Sequence, residues 1–375
     1  MTSINSYKFI NMLGHGSMGT IYEAKHIVTG ESVAVKVIDK QQLQKSIEVE
    51  RFRRELAVMD SFRTLRHPNV VSLIDLFEDE QKFYLVTELC TGGDLFDYIA
   101  DNGAINERVA SIIFKQILDG LIFIHQNGIV HRDLKPENIF ITRFPSIKIG
   151  DFGLCGFTDF NTLMNSFCGS PCYCSPECLK KESYDGIKAD TYSLGVTLFC
   201  MVTGQFPWNI EVPQKMIERI LQNSYVIPSH VSPQCADLIH RLMALNPADR
   251  PSHTEILNHP WLQLFKSGDF GYNMPKEAIS FPALYDTLVF SSKSKIQTSK
   301  SIGKDLHICD LLNNNADIVR KKSVAEAKQP SRGPLQQSRK NQFFYNSNKR
   351  SVHQASSQIQ RKKSCILPVA PTFYT

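Results

Sequence analysis

Two short motifs constrain this chain more than any other feature of its sequence. Residues 131–138 read His-Arg-Asp-Leu-Lys-Pro-Glu-Asn, and residues 151–153 read Asp-Phe-Gly. Phosphoryl transfer from a metal-bound nucleotide needs a carboxylate for the incoming hydroxyl, cations for the phosphate and oxygen ligands for Mg²⁺. Each of these residue types is common on protein surfaces, but this order and spacing is not. The two motifs therefore predict a phosphoryl-transfer site.

A glycine-rich segment near the start of the chain supports nucleotide binding. Residues 14–19 read Gly-His-Gly-Ser-Met-Gly, which fits G-x-G-x-x-G, a pattern also found in dinucleotide-binding folds. A dinucleotide site needs a strand, a turn and then a helix. Here residues 20–22, Thr-Ile-Tyr, and a Thr-Gly turn at 29–30 predict strand, turn and strand. The pattern therefore favours a β-hairpin whose backbone N–H groups approach phosphate oxygens.

The secondary-structure pattern changes near residue 91. Before it, β-branched and aromatic runs predict short strands, with one helix where Val49, Phe52 and Leu56 follow helical spacing. After it the pattern is mainly helical, with one amphipathic helix and one helix that is apolar nearly all round. The predicted strands span 7–13, 20–24, 32–38 and 83–87, and the predicted helices span 47–62, 108–125 and 189–202.

These features resemble those of eukaryotic Ser/Thr protein kinases, in particular the calcium/calmodulin-dependent and AMP-activated kinase group. The group resemblance rests on Gly-Gly-Asp-Leu-Phe-Asp-Tyr-Ile (92–99), Cys-Gly-Ser-Pro (168–171) and His-Pro-Trp-Leu (259–262). It implies an α+β, two-lobed protein kinase fold. A small antiparallel-sheet N-lobe with one main helix is expected at about 7–88, and a larger, mainly helical C-lobe at about 91–262. The kinase domain would then span 7–262.

The resemblance assigns the transfer step to four residues of the two motifs. Asp133 would accept or orient the proton of the substrate hydroxyl, and Lys135 would neutralise charge on the transferring phosphate. Asn138 and Asp151 would supply oxygen ligands for Mg²⁺, together with ATP phosphates and water. ATP and Mg²⁺ are therefore the expected cofactors.

The N-lobe is expected to hold the nucleotide. Residues 33–36, Val-Ala-Val-Lys, match the family's strand with a phosphate-binding lysine, here Lys36. Glu55 stands where the family places the ion-pair partner of that lysine, and Glu50 is the less favoured partner by spacing. Thr87 would guard the pocket behind adenine. The other residues expected to bind the nucleotide are Leu13, Gly14, Gly16, Gly19, Ile21, Ala34, Glu88, Cys90, Asp94 and Phe140.

The acceptor specificity follows from the same resemblance. Lys135 in the catalytic loop goes with Ser/Thr kinases, and Ser170 stands where such enzymes place a residue that contacts the catalytic aspartate and lysine. Asp94 and Glu137 match positions that bind ribose and basic substrate residues, so a preference for Arg N-terminal to the target is expected. The alternative is that both are simply solvated acids.

Regulation by phosphorylation is expected from Arg132, whose guanidinium needs an anion beside the catalytic aspartate. In related kinases that anion is a phosphorylated activation loop, which corresponds to 151–177 here. Ser166 is the favoured site, with Thr162 as the fallback. The expected partners are protein substrates with Ser or Thr acceptors and an upstream activating kinase. The rival interpretation is a pseudokinase that binds nucleotide as a scaffold. Such proteins usually lose the equivalents of Lys36, Asp133 or Asp151, all of which are present.

Other residues near the motifs suggest structural roles. Glu177 is expected to pair with Arg250, and Asp190 to accept hydrogen bonds from the catalytic-loop backbone. Several nearby cysteines lack paired C-x-x-C spacing, which disfavours zinc, and a redox-sensitive loop would need lowered thiol pKa values. These cysteines are Cys155, Cys168, Cys172, Cys174 and Cys178.

The charge distribution separates the body from a basic tail. The net charge is +5, yet residues 1–268 carry 25 Lys and Arg against 30 Asp and Glu, whereas 269–375 carry 17 against 7. Residues 263–375 are therefore predicted to form a mostly disordered basic tail, in which apolar patches at 283–290 and 308–312 could dock locally. Ser323 and Ser364 follow Arg by three residues and are candidates for autophosphorylation. A solvated tail is the favoured alternative, while nuclear localisation and binding to acidic lipid or nucleic acid stay open.

Composition predicts the compartment. The start of the chain lacks the apolar core of a signal peptide, and the apolar run at 194–202 is about half the length of a membrane span. Ten cysteines in this context indicate reduced thiols rather than a disulfide framework. We therefore expect no transmembrane segment, no requirement for nucleic acid, and a cytoplasmic protein, with the nucleus as the alternative.

Overall fold

The fold is described from a computed structural model of the chain. The described residues are 3–16, 19–44, 46–158, 163–165, 168–265 and 307–308. The chain divides into two compact units. The first contains the residues up to Leu89 together with His307–Ile308, and the second contains Cys90–Leu262.

A six-stranded antiparallel sheet forms most of the first unit. Its strands are β1 (Ser3–Ile4), β2 (Tyr7–Gly16), β3 (Gly19–His26), β4 (Ser32–Asp39), β5 (Leu73–Glu78) and β6 (Lys82–Glu88). They lie in the order β1-β2-β3-β4-β6-β5. Sequential strands are neighbours except where helix α1 (Ser46–Thr64) connects β4 to the edge strand β5. The predicted antiparallel sheet with one main helix is present.

The two faces of this sheet carry different side chains, because alternate residues of a strand point to opposite sides. Val33 and Val35 of β4 belong to a buried apolar cluster that includes Tyr84 and Val86 of β6. The opposite face carries Phe83, whose ring lies 4.9 Å from that of Phe52 on α1. Helix α1 therefore packs on the face opposite the valine cluster.

The second unit is mainly helical. Two short antiparallel strand pairs, β7 (Ile129–Val130) with β10 (Gly156–Phe157) and β8 (Ile139–Arg143) with β9 (Ser146–Ile149), supplement its helices. Single turns of 3-10 helix span Lys40–Gln44 in the first unit and Pro136–Asn138 and Pro247–Asp249 in the second. The elements of the second unit are α2 (Leu95–Asn102), α3 (Glu107–Gln126), β7 (Ile129–Val130), β8 (Ile139–Arg143), β9 (Ser146–Ile149), β10 (Gly156–Phe157), α4 (Pro176–Leu179), α5 (Gly186–Thr203), α6 (Pro213–Leu221), α7 (Pro233–Leu242), α8 (His253–Leu257) and α9 (Pro260–Leu264).

Helices α3 and α5 supply much of the core of the second unit. Both were predicted from periodicity, and both extend beyond the predicted range by a few residues. Within the described residues, α3 is the helix that is long and apolar enough to be a candidate membrane span, rather than the apolar run at 194–202. However, 61% of its apolar stretch is buried in the structure, as in the core helix of a globular domain.

Two parts of the predicted tail are described, namely residues 263–265, which include the end of α9, and residues 307–308. His307 Nδ1 lies 3.1 Å from Glu78 Oε1, and the backbone N–H of Ile308 donates to the same oxygen at 3.2 Å. Glu78 also pairs with Lys40 through its other oxygen, at 2.9 Å. The patch predicted at 308–312 thus contacts the first unit at its first residue. Its remainder, the patch at 283–290, Ser323 and Ser364 lie outside the described residues.

Candidate active site

The glycine-rich segment is part of a β-hairpin. Strands β2 and β3 pair with Gly14 opposite Ile21 and Gly16 opposite Gly19. Two paired strands on either side of the segment differ from the strand and following helix of a dinucleotide site. A Cβ at Gly19 would collide with the backbone carbonyl oxygen of Val37, whereas a Cβ at Gly14 would meet open space. Packing therefore requires Gly19, while Gly14 leaves the backbone accessible to a ligand.

Lys36 of β4 forms the predicted ion pair with Glu55 of α1. Lys36 Nζ lies 2.6 Å from Glu55 Oε1, and the glutamate side chain is only 3% exposed. Glu50 instead pairs with two arginines of its own helix. Ile21 lies directly opposite Lys36 in the sheet, and Ala34 precedes Lys36 by two residues. The predicted phosphate-binding cation and two predicted adenine contacts thus share one face of the sheet.

The remaining nucleotide-binding candidates of the first unit lie at strand ends. Leu13 is exposed near the end of β2. Thr87 is opposite Ala34 in the pairing of β4 with β6, so it lies on the same face as Lys36. The side chain of the next residue, Glu88, accepts a hydrogen bond from the backbone N–H of Ser72 at 2.8 Å. Glu88 is therefore bonded to Ser72 through its side chain, and its backbone N–H also donates to the carbonyl of Ser72, at 3.4 Å.

The candidates of the second unit include a residue with a structural role. Asp94 caps α2, because its carboxylate accepts from the backbone N–H of Asp97 at 2.7 Å. Asp94 also forms an isolated β-bridge with Phe140 of β8. Cys90 opens this unit and is half-buried. Sequence reasoning missed the cap, although Asp directly before an apolar run is its usual signal.

Asp133, Lys135 and Ser170 form a closed cluster. Lys135 Nζ lies 2.9 Å from Asp133 Oδ2 and donates to Ser170 Oγ at 2.7 Å. The backbone N–H of Ser170 donates to Asp133 Oδ1 at 2.8 Å. Gly169, at φ +91°, is needed here, because a Cβ would collide with the carbonyl oxygen of Arg132. The predicted contacts of Ser170 with the aspartate and the lysine are therefore present.

The charge of Lys135 is maintained by its neighbours. Burial lowers the pKa of Lys135, but the negative charges of Asp133, Glu137 and Asp151 outweigh it, so the pKa is raised. Lys135 is therefore a cation at neutral pH, next to the carboxylate of Asp133. A cation and a carboxylate at this separation can position a hydroxyl group and neutralise charge that develops on a phosphate.

A β-hairpin brings Asn138 and Asp151 to the same end. Strands β8 and β9 pair with Ile139 opposite Ile149, and the backbone N–H of Gly150 donates to the carbonyl of Asn138 at 2.9 Å. The side-chain Nδ2 of Asn138 donates to the backbone carbonyl of Asp133 at 2.8 Å. The nitrogen of the Asn138 amide is therefore engaged with Asp133, and the amide oxygen is available as a cation ligand. One amide oxygen and one carboxylate are the kind of hard ligands that fit Mg²⁺ bound with a nucleotide.

Asp190 of α5 holds the backbone of the catalytic loop. Its Oδ2 accepts from the backbone N–H of His131 and its Oδ1 from that of Arg132, both at 2.8 Å. Arg132 has φ +64°, a left-handed conformation that costs an L-residue about 1 kcal/mol. These bonds fix the loop just before Asp133, as predicted. His125, which sequence reasoning did not single out, also contacts Asp190, at 2.9 Å.

Comparison with known proteins agrees with this geometry. A profile of the protein kinase domain matches residues 7–262. The chain belongs to the protein kinase family. Sperm motility kinases 3A and 3B of Mus musculus are each 38% identical to it over 256 residues, which make up 68% of this chain and 49% of each relative. The chain therefore spans about half the length of the curated relatives it matches.

Family membership confirms the predicted fold class, a kinase fold with an antiparallel-sheet N-lobe and a helical C-lobe. Protein kinase domains in general use ATP with Mg²⁺. In this kinase domain the oxygen donors of Asn138 and Asp151 and the cation of Lys36 are of the types that this pair of cofactors needs.

Arg132 of the kinase domain contacts sulfur atoms. One guanidinium nitrogen lies 2.6 Å from Cys168 Sγ and the other lies 3.8 Å from Met164 Sδ. Burial lowers the pKa of Arg132, but nearby Cys168, Tyr184 and Cys155 more than offset this and raise it. Arg132 thus keeps its charge close to the activation loop. The predicted phosphorylation sites are Ser166 and Thr162, and both lie outside the described residues.

Three cysteines near the motifs, Cys172, Cys174 and Cys178, are buried thiols, whereas Cys168 beside Arg132 is half-buried. Burial raises the pKa of Cys172, Cys174 and Cys178 above the usual value, the opposite of what a redox-sensitive thiolate needs. Within the described parts of the chain, no group of three or more His, Cys, Asp or Glu could hold a metal ion. The disfavoured zinc site is therefore not found in that part of the molecule.

Glu177 and Arg250 form the predicted structural pair. The Arg250 side chain is fully buried, and its two terminal nitrogens donate to the Glu177 carboxylate at 2.7 and 2.8 Å. Arg250 also donates to the backbone carbonyls of Ala244 and Lys188. The pair joins α4, which contains Glu177, to the segment before α8, which contains Arg250. This geometry is the bidentate arrangement that gives charge-assisted hydrogen bonds their strength.

Proposed function

We propose that this chain is an active protein Ser/Thr kinase, which transfers the γ-phosphoryl group of ATP to Ser or Thr hydroxyls of other proteins. The observation that carries the proposal is the cluster of Asp133, Lys135 and Ser170. Both oxygens of the Asp133 carboxylate are held, one by Lys135 and one by the Ser170 N–H. Asp133 is thus fixed in place to accept the proton of an incoming hydroxyl.

The roles of the other residues follow from their chemistry. Lys135 neutralises charge that develops during transfer, and Lys36, oriented by Glu55, binds phosphate oxygens. Asn138 and Asp151 hold Mg²⁺, which bridges phosphate oxygens and offsets their charge. Because Lys36, Asp133 and Asp151 are all present, the pseudokinase alternative has no observation in its favour.

We further propose that substrates carry Arg N-terminal to the target residue, bound by Glu137. Burial raises the pKa of Glu137, and the charge of Lys135 and hydrogen bonds, one of them with Tyr173, oppose this. A substrate guanidinium would add a cation and stabilise the ionised carboxylate. A peptide array with Arg placed at each position before Ser tests this. Equal rates with and without Arg at minus three would contradict it, as would an unchanged preference in Glu137→Gln.

Activation by phosphorylation is the regulatory part of the proposal. Arg132 is charged and faces the polarisable sulfur of Cys168, and a phosphate on the activation loop would be a stronger partner for it. An upstream kinase would act on Ser166, with Thr162 as the alternative. The proposal expects Ser166→Ala to abolish the activation that an upstream kinase confers and Thr162→Ala to leave it. We place the protein in the cytoplasm, with the nucleus as the alternative.

Three peptides that differ only in the acceptor residue test the proposed reaction. Transfer of labelled γ-phosphate to the Ser and Thr peptides, with at least about a hundredfold less transfer to the Tyr peptide, is the expected result. Transfer to Tyr at a similar rate would contradict Ser/Thr specificity. Binding of Mg²⁺–ATP with no transfer to any peptide, by protein phosphorylated on the activation loop, would support the scaffold instead.

A further inference from the structure

A chain of hydrogen bonds runs from α8 to the catalytic loop. Asp190, which holds the backbone N–H groups of His131 and Arg132, also accepts from His125 Nε2 at 2.9 Å. The other ring nitrogen of His125, Nδ1, lies 2.9 Å from Nε2 of His253. The kinase fold accounts for the position of Asp190, but it does not account for a histidine on α8 that hydrogen-bonds His125, the partner of Asp190.

The geometry of the two rings is that of a hydrogen bond. The ring planes of His125 and His253 are 23° apart and the ring centres are 5.0 Å apart. Two imidazoles that meet edge to edge, nitrogen to nitrogen, have this separation, because each nitrogen lies about 1.1 Å from its ring centre, as standard covalent dimensions require. The contact therefore joins the two nitrogens and is not a stack of ring faces.

The proton positions follow from Asp190. Burial raises the pKa of Asp190, but the hydrogen bond and charge of His125 and the other donors lower it overall, so the group is a carboxylate that only accepts. His125 Nε2 must then carry a proton. Its other ring nitrogen, Nδ1, shares a hydrogen bond with Nε2 of His253. His125 thus lies between Asp190 and His253, with one ring nitrogen bonded to each.

His253 is itself held rigidly. It is the first residue of α8, after Ser252, which forms a capping box with Glu255. The charged groups that face its ring are His125 of α3 and Asp190 and Lys188 of α5. Burial, His125 and Lys188 lower the pKa of His253 to about 4 against the opposite effect of Asp190. His253 is therefore neutral at physiological pH and acts as a hydrogen-bond partner, not as a charge.

We propose that His253 is a positioning residue for phosphoryl transfer. Through its hydrogen bond with His125 Nδ1, it fixes the ring orientation in which His125 donates to Asp190. Asp190 in turn keeps Arg132 in its left-handed conformation and the following residue, Asp133, in place. Without this partner, His125 Nδ1 loses a hydrogen bond inside the protein, and the ring can rotate away from Asp190. This inference rests on the proposed function, since its readout is the transfer rate.

Two substitutions separate the hydrogen bond from packing. His253→Gln places an amide group, which can donate or accept, near the position of Nε2, while His253→Leu keeps a similar volume but has no hydrogen-bonding atom. We expect His253→Leu to lower kcat by about tenfold, which corresponds to the loss of one buried hydrogen bond, with the KM for ATP within about twofold. His253→Gln should recover most of that loss. A packing role would give the opposite ranking, with Leu tolerated better than Gln.

His259→Leu is the matched control. His259 is a buried histidine of the same segment that also hydrogen-bonds a carboxylate, that of Asp237 at 3.0 Å, but it lies outside the chain that ends at Asp190. The His259→Leu substitution should lower the unfolding temperature without changing kcat at temperatures where the protein is folded. Equal kcat for His253→Gln and His253→Leu would overturn the proposal, and so would a loss of kcat in all three variants that follows their loss of stability.

Hydrogen exchange of the backbone N–H groups of His131 and Arg132 gives a readout that needs no activity. The proposal expects faster exchange in His253→Leu than in the wild type, with protection largely restored in His253→Gln. Unchanged exchange in His253→Leu would overturn the proposal even if the wild type transfers phosphate. If the wild type transfers none, the proposed function fails, and the exchange result alone decides whether His253 supports the loop.

Discussion

Replacing Glu177 by Gln should destabilise the kinase domain far more than the distance of the Glu177–Arg250 contact alone suggests. The substitution removes the charge that faces Arg250, whose side chain is 0% exposed, at hydrogen bonds of 2.7 and 2.8 Å. Breaking a buried ion pair by removing one partner costs about 3–5 kcal/mol, because the other charge stays buried. The carbonyls of Ala244 and Lys188 still accept from Arg250, so we expect a loss of about 3 kcal/mol.

An exposed ion pair with a similar contact distance is the control. Lys115 and Asp119 of α3 lie 2.8 Å apart, but their side chains are 57% and 35% exposed. Asp119→Asn should cost only about 0.3 kcal/mol, as is typical of surface pairs one helical turn apart. Urea unfolding followed by fluorescence measures both, since Trp208 and Trp261 are buried in the second unit. Equal losses for the two substitutions would refute the argument that burial decides the strength of the pair.

The same pair makes a prediction about pH. Burial raises the pKa of Glu177, but the hydrogen bonds and charge of Arg250 lower it below the usual value of 4.5. A group whose pKa is lowered by folding contributes stability above its unfolded pKa, and loses it as the pH falls through the folded pKa. The stability difference between the wild type and Glu177→Gln should therefore be full at pH 7 and shrink below about pH 4.5. A difference that does not change between pH 7 and pH 3 would contradict this assignment.

Two further substitutions test the candidate site. Ser170→Ala removes the hydroxyl that accepts from Lys135 and should lower kcat by about tenfold, whereas Ser170→Thr should keep most of the rate. Steady-state kinetics measures both variants, and equal rates for Ala and Thr would contradict the role of the hydroxyl. Gly19→Ala forces a Cβ against the carbonyl oxygen of Val37 and should lower stability by about 1–3 kcal/mol in urea unfolding, while Gly14→Ala, whose Cβ meets open space, should cost less than about 1 kcal/mol.

Much of the fold follows from patterns along the sequence. Helices α1, α3 and α5 have long apolar periodicities, and each was predicted within a few residues of its observed bounds. Strand β5 was not predicted, because its burial alternates only weakly and pairing with β6 defines it. Helix α2 was also missed, since its eight residues are too few for a clear period and its cap, Asp94, was interpreted as a ligand.

Only some contacts of the candidate site were predictable from the sequence. The resemblance to protein kinases was sufficient to pair Lys36 with Glu55 and Glu177 with Arg250, and both ion pairs are present in the structure. The sulfur contacts of Arg132 and the link from His253 through His125 were not predictable. They join residues that lie on different elements and carry no local pattern, so only the packed structure reveals them.

The most direct test of the account is phosphoryl transfer by the wild type and by Asp133→Ala, measured with ATP binding in the same preparations. The account predicts measurable transfer to a Ser peptide by the wild type and at least about a thousandfold less by Asp133→Ala, since a positioned general base and its cluster are lost. ATP affinity should change by less than about threefold, because Asp133 is assigned to the acceptor and not to the nucleotide. Equal transfer by both proteins, or none by a wild type that binds ATP, would contradict the central claim.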